Sequence, residues 1–277
     1  METEGINMIE VLNLGAGVQS SAVLLMSIEG VLPKLDHAIF SDTGWEPAAV
    51  YRQLDWLTAK AESAGIEVHR VQFSNIRDDD MQGDMRAKNW LAIPYFTRCS
   101  ATGKKGQIRR QCTSNYKIRV IEHFMRRDLM GLRPRQRAPK TPQINQWFGI
   151  SFDERTRMRV PTADWSSHFY PLVEMKWDRV TCHNWMADKG YPDAPRSACI
   201  GCPYHSNREW REMREQRPDE WKDAVEFDEA MRLKGGEGGE LFLHSSCVPL
   251  SEVNLWTDES PGQLRLWDDE CSGMCGL

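Results

Sequence analysis

Four cysteines have the types and spacing that metal or redox chemistry requires. Cys199 and Cys202 stand in Ser197-Ala198-Cys199-Ile200-Gly201-Cys202-Pro203-Tyr204-His205. Two intervening residues let both thiolates reach one ion or cluster, and a proline after the second cysteine is a feature of cluster-binding runs. Cys112 opens a predicted helix in Arg110-Gln111-Cys112-Thr113-Ser114-Asn115-Tyr116-Lys117. Flanking cations and a helix N-terminus both favour a thiolate there. With Cys182 the set reaches four donors, which suits a [4Fe–4S] cluster or a tetrahedral zinc, while a redox-active dithiol is a further reading of the Cys199/Cys202 pair. The chain has eight cysteines and no basic-then-apolar leader. It is therefore expected to be cytoplasmic, where thiols serve metal or redox chemistry more than disulfides.

A second chemical feature lies near the start. Residues 9–26 read as a buried strand, a glycine turn and a helix start: Ile-Glu-Val-Leu-Asn-Leu, then Gly15-Ala16-Gly17-Val18-Gln19-Ser20-Ser21. The glycines are expected to take tight or positive-φ conformations, and the free N–H groups and dipole of the helix favour an anion. After a second short strand, Ser41-Asp42-Thr43-Gly44-Trp45-Glu46-Pro47 forms a polar loop at a strand's carboxyl end, where open parallel sheets bind ligands.

These two loops resemble those of the adenine-nucleotide α-hydrolase superfamily, which holds the PP-loop ATP pyrophosphatases and the phosphoadenosine-phosphosulfate (PAPS) reductases. The pyrophosphatase loop is Ser-Gly-Gly-x-Asp-Ser. Here Gln19 stands at the Asp position, closer to the reductases' looser Gly-Ile-Gln type, and Asp42-Thr43-Gly44 is similar to their Asp-Thr-Gly segment. The resemblance covers roughly residues 8–205 and extends to uncharacterised PAPS-reductase-like proteins of phage genomes. It implies an enzyme that binds ATP, PAPS or adenosine phosphosulfate (APS), with Mg2+ as an accompanying ion, through Gly15 to Ser21, Asp42, Thr43, Gly44, Arg110 and Lys117. It also favours iron and sulfur over zinc at Cys112, Cys182, Cys199 and Cys202; without Cys182, three cysteines would leave an open iron site. In the reductases a C-terminal Glu-Cys-Gly-x-His supplies the nucleophile, so Glu270-Cys271 becomes the catalytic candidate, with Asp42. Ser272 intervenes before Gly273 and no His follows, whereas Cys275 adds a Cys-x3-Cys able to relay sulfur or form a disulfide.

The elements that must position these groups follow from periodicity. Residues 8–75 alternate strand, helix 20–28, strand 37–40, helix 48–64 and strand 66–73, a βαβαβ pattern that predicts an α/β, doubly wound, mainly parallel sheet. Tyr51, Trp56, Leu54 and Leu57 fall at helical spacing and are expected in its core. Residues 75–106 read as a polar insertion. Its Asp78-Asp79-Asp80 is a solvated turn or a divalent-cation site, and Lys104, Lys105, Arg109 and Arg110 are surface charges or phosphate ligands. A helix runs from 112 to about 130, and a strand over 144–151 brings Asp153, Glu154 and Arg157 to the ligand edge.

The net charge of -5 hides an asymmetry: residues 98–140 hold thirteen Lys and Arg against Glu122 and Asp128. One strongly positive face able to grip tRNA or DNA is expected from it, alongside a thiol or sulfur-donor partner. No apolar run spans a membrane. The division expected is a nucleotide-binding α/β domain over 1–177, with a basic insertion at 75–142, and a Cys-rich helical region with a tail over 178–277. In the latter, residues 206–233 are amphipathic helix broken at Pro218, residues 235–239 a flexible break, and residues 241–253 a docking tail with His244 at its surface.

Three reactions fit this reading: reduction of a sulfonucleotide through Cys271, adenylation and thiolation of a nucleic acid by a PP-loop enzyme with an Fe–S cluster, and nucleotide binding without turnover beside a structural zinc.

Overall fold

The computed structural model describes residues 8–83, 91–236 and 239–256. Its larger sheet holds β1 Ile9–Leu14, β2 His37–Asp42, β3 Glu67–Gln72, β6 Ile144–Phe148 and β7 Ser166–Phe169, in the order β3-β2-β1-β6-β7. Every neighbouring pair is parallel. β1 and β2 are apolar on both faces and buried almost throughout, as parallel strands covered by helices must be. The strand order reverses beside β1, so the crevice of this α/β sheet opens at the carboxyl ends of β1 and β6.

Helix α1 (Val18–Ile28) is buried from Val18 to Ser27, because it lies between the sheet and α6 (Arg179–Asp188). Its small and aliphatic residues suit a helix enclosed on all sides. α2 (Ala48–Ser63) turns Val50, Leu54, Leu57 and Ala61 inward at three- and four-residue spacing. On the opposite side of the sheet, α4 (Arg119–Phe124), flanked by π-helical turns at Thr113–Ile118 and Met125–Leu129, covers Val11, Ile39 and Ile144 through Ile121 and Met125.

The expected polar insertion is instead part of a second core. α3 (Ile76–Gln82) is followed by β4 (Phe96–Arg98) and β5 (Lys105–Gln107), and β4 pairs with β8 (Glu240–Phe242) in a small antiparallel sheet. α7 (Asn207–Gln216) and α8 (Pro218–Met231), divided at Pro218 as the sequence predicts, pack on it with Trp210, Met213, Phe227 and Met231. Leu241, Leu243, Leu250 and Leu255 are buried in the same core, so residues 241–253 are an integral layer rather than a docking tail. His244 is buried too, hydrogen-bonded to Ser246 Oγ at 2.8 Å and to Asn207 Oδ1 at 2.6 Å, and burial pushes its imidazole down to about 4.

Core composition also cuts across the 177/178 division. Cys182 and Met186 pack with α1 in the parallel-sheet core, whereas residues 91–95 pack with residues 200–255.

Two buried carboxylates organise this second layer. Asp80 accepts the Ala92 and Ile93 N–H groups at 2.8 and 3.1 Å and the Tyr95 hydroxyl at 2.9 Å. Asp228 accepts Leu243 N–H at 2.8 Å and Leu250 N–H at 3.0 Å and pairs with Arg232. Asp79 receives the Ser74 and Tyr116 hydroxyls. Asp79 and Asp80 are therefore structural anchors in α3 rather than parts of a solvated turn, while Asp78 is exposed. Replacing Asp80 by Ala strands three buried donors and is expected to cost roughly 3 kcal/mol in denaturant unfolding. Asp80→Ala unfolding at the wild-type midpoint would remove the anchor role.

Candidate functional site

The loop after β1 builds its turn differently from expectation. Ala16, not a glycine, takes the left-handed conformation, at φ 55°, while Gly17 is extended at φ -91°, ψ -179°. Gly15 N–H donates to Ser20 Oγ at 3.1 Å, and that hydroxyl lies 3.4 Å from the Gly17 carbonyl oxygen. Gly17 starts α1, and no side chain caps the helix. Neither φ nor space requires glycine at Gly17, whereas Gly149 provides room for the helix start. A Cβ on Gly17 would meet Ser197 Cβ at 3.4 Å, and one on Gly149, just past β6, would lie 2.7 Å from Ser20 N and 2.8 Å from Ser20 Cα. The first turn of α1 is thus walled by the end of β6 on one side and by residues 195–197 on the other. Gln19 lies 3.4 Å from Glu154 Oε2, and Glu154 pairs with Arg157 at 2.9 Å; Ser21 receives the Gln53 amide at 3.4 Å.

The β2 loop is fixed by Asp42. Its carboxylate, fully buried, accepts Gly44 N–H at 2.7 Å, the Tyr51 hydroxyl at 2.9 Å and the Arg70 guanidinium, whose Nε lies at 2.8 Å. Both oxygens of this catalytic candidate are therefore engaged by the protein, and Asp42 positions the loop. Tyr51, expected as plain core, is held to it by its hydroxyl. Gly44 does need its left-handed φ of 77°, since a Cβ would lie 2.8 Å from Gln72 Nε2 and 3.0 Å from Asn75 Cα.

This loop meets the cysteine turn. Thr43 Oγ1 donates to Glu46 Oε1 at 2.9 Å and lies 3.1 Å from Cys199 Sγ; the Cys199 thiol is itself 3.5 Å from Glu46 Oε1. Lys117 Nζ approaches that carboxylate at 4.0 Å, both side chains being buried. Burial pushes the Cys199 thiol well up, Glu46 and Cys112 add to the shift, and Lys117 and Thr43 oppose it. Glu46 Oε2 has no hydrogen-bond partner among the described residues. Ile200 N–H donates to the Trp45 carbonyl at 2.9 Å, and Gly201 presses so closely on the Trp45 indole that a Cβ would fall 2.0 Å from its ring. Trp45 in turn donates to Asp223 at 2.5 Å and packs on Phe227 of α8.

Cys202 N–H closes the turn on the Cys199 carbonyl at 3.1 Å, and His205 Nε2 lies 3.0 Å from the same oxygen. Burial lowers the His205 imidazole to about 4, so the ring is neutral and its Nε2–H is the donor. Arg196 pairs with Glu209, the residue that completes the Ser206 cap of α7. Arg110 lies over the Tyr204 ring at 5.8 Å.

Of the four predicted metal ligands, Cys199 and Cys202 share this turn and Cys112 is close enough to shift the Cys199 thiol. Cys182 is elsewhere, within the apolar core of α1 and α6. Its thiol is pushed up to about 12 by burial and by Asp178 and Asp153. The carboxylate at the centre, Glu46, is a residue that sequence reasoning quoted but did not select. No spacing rule marks it, because it acts through a loop contact. Glu270, Cys271 and Cys275 lie outside the described residues.

The basic stretch does not form one face. Lys117 is buried beside Glu46, and Lys104, Lys105 and Arg109 are exposed near β5. Arg133, Arg135, Arg137 and Lys140 are exposed just before β6, at the amino-terminal edge of the sheet, away from the crevice. Among the described residues no helix is long and apolar enough to cross a membrane. No known family model matches the chain, and no curated protein matches it.

The electrostatics predict how Cys199 reacts. In reduced, metal-free protein its alkylation at pH 7, followed by peptide mass spectrometry, should be slow. Glu46→Gln should accelerate it, and Lys117→Met should slow it. Acceleration by Lys117→Met would contradict this arrangement.

Proposed function

We propose that this chain is an adenine-nucleotide-dependent sulfur enzyme of the PAPS-reductase kind, with nucleotide and thiols meeting in the crevice at the carboxyl ends of β1 and β6. One observation carries the reading. The turn that bears Cys199 and Cys202 lies against Gly17 through Ser197 and against the β2 loop through Thr43, Trp45 and Glu46. An anion-favouring helix terminus and a thiol cluster therefore border the same space. The left-handed Ala16 supports it, since a non-glycine residue held there costs on the order of 1 kcal/mol and such strain gathers at ligand sites.

In this reading the uncapped first turn of α1 holds a nucleotide phosphate, with Mg2+ as its counterion, Arg110 balances part of the remaining negative charge, and Lys117 does so only in so far as it is shared with Glu46. The Cys271 thiolate attacks the sulfur of PAPS or APS, the sulfur–oxygen bond to the phosphate breaks, and the nucleotide leaves as the phosphate anion. The sulfonate is then carried on Cys271. A second thiol attacks the Cys271 sulfur, sulfite leaves, and the two thiols end as a disulfide, so the thiols supply both electrons. Glu270 is the adjoining carboxylate.

Cys112, Cys199 and Cys202 are soft donors whose sulfurs do not all lie within 4.8 Å of one another, a spread that suits the larger [4Fe–4S] cluster better than a single zinc ion, and a bound metal would overcome the raised pKa of Cys199 by replacing its proton. Such a centre would supply redox or Lewis-acid chemistry to sulfur. Cys199 itself, a protonated thiol when metal-free, is not the attacking group.

A second reading shares the crevice: ATP is bound, a nucleic-acid oxygen attacks its α-phosphate and pyrophosphate leaves, then sulfide-level sulfur from a donor attacks the adenylated carbon and AMP leaves with the oxygen. The approach of Cys112 to Cys199, with exposed Arg109 three residues before Cys112 and exposed Lys104 and Lys105 on the adjoining hairpin, favours it. A tRNA or DNA grip would then rest on these groups rather than on Arg133 to Lys140. Nucleotide binding without turnover is the remaining alternative.

Anaerobically purified chain given PAPS and a dithiol is expected to release sulfite, and Cys271→Ser to abolish it. Pyrophosphate from ATP without sulfite, raised by tRNA or DNA, would replace the reductive reading by the adenylating one. Gly149→Ala, which forces the end of β6 off Ser20, should weaken nucleotide binding at least about tenfold in a folded protein. Unchanged affinity would remove the nucleotide from this helix terminus.

A further inference from the structure

The far end of the sheet carries a separate group of metal-ligating side chains. In β3, Glu67 and His69 are two residues apart and project from one face, and the parallel register sets His37 of β2 opposite Glu67. His69 Nε2 and His37 Nδ1 are 3.1 Å apart, and Glu67 Oε2 lies 3.5 Å from His37 Nδ1 and 3.6 Å from His69 Nε2. Among the described residues these three atoms form a donor set within 4.8 Å.

The carboxylate oxygen is nearly equidistant from two ring nitrogens and too far from either to accept a well-formed hydrogen bond. An ion at about 2.0–2.1 Å from tetrahedral nitrogen and oxygen ligands holds them about 3.4 Å apart. The three observed separations bracket that value. From this geometry we propose that His37, Glu67 and His69 bind a divalent transition ion, zinc in particular, as three ligands of a tetrahedral site at the amino-terminal edge of β2 and β3.

Three further observations support the site. The imidazoles are partly enclosed, at 19% and 24% side-chain exposure, while Glu67 is 71% exposed, which leaves the fourth position toward solvent for water. The His69 ring packs on Phe124 at 4.7 Å, which fixes its orientation. Asp128 lies close enough to His69 to add negative charge near the ion. This site stands at the opposite edge from the nucleotide crevice and does not depend on the proposed reaction. An ion there would tie β2 and β3 together beside the helix that carries Phe124.

The test is Co2+ titration of the chelator-stripped full chain carrying Cys199→Ala and Cys202→Ala, which removes the competing thiols. The expected result is one bound Co2+ with visible d–d absorption and no thiolate charge-transfer band, displaced by Zn2+. Adding His37→Ala or His69→Ala should abolish the signal. Adding Glu67→Gln, at an exposed position that leaves the fold intact, should weaken binding about tenfold or more. Absence of Co2+ binding in the parent, or binding that the Glu67→Gln and histidine variants leave unchanged, would overturn the proposal.

Discussion

The carboxylate of Asp42 is a buried negative charge at the end of a central strand, and such a charge is tolerated only when fully partnered. Gly44 N–H, the Tyr51 hydroxyl and the Arg70 guanidinium provide that partnership, each from a different element. Their convergence bends the chain at Gly44 and sends Trp45 and Glu46 toward the crevice. Thr43 and Glu46 then meet Cys199, and Trp45 receives Ile200 and Gly201. One satisfied ion pair thereby sets where the cysteine turn docks.

The second layer serves the same geometry from outside. Asp223 and Phe227 of α8 hold the Trp45 indole against Gly201, and Asp80 and Asp228 each gather backbone N–H groups from loops that would otherwise be unsatisfied under the layer. The Cys199 turn thus rests on a wall whose elements come from residues 76–83, 91–98, 207–236 and 239–255. Ser197 lies between that wall and the loop after β1.

The parallel sheet was legible because hydrophobic runs and helical spacing are local signals: the strands and helices at 9–72 and the break at Pro218 come straight from periodicity. The pairing of Cys199 with Cys202 was legible for the same reason. What periodicity cannot carry is long-range partnership. Asp80 reads as a surface charge until Ala92, Ile93 and Tyr95 fold over it, and His244 reads as exposed until Asn207 reaches it. Cys182 has the composition of a ligand, but its position on the inner face of α6 gives it to the core. The basic stretch is continuous in sequence, yet the helix between its halves carries one to the opposite edge of the sheet. Glu46 and Ala16 were hidden by residue type, one inside a loop valued for its Asp-Thr-Gly and the other between two glycines.

The central claim is that the nucleotide and the Cys199 turn occupy one crevice, and footprinting of that thiol tests it most directly. Reduced, metal-free chain would be alkylated with and without ATP or PAPS, and each cysteine followed by mass spectrometry. The account predicts that nucleotide protects Cys199 and Cys202 while partly exposed Cys99, outside the crevice, reacts at an unchanged rate. Nucleotide that binds without slowing Cys199 would separate the two sites and contradict the account.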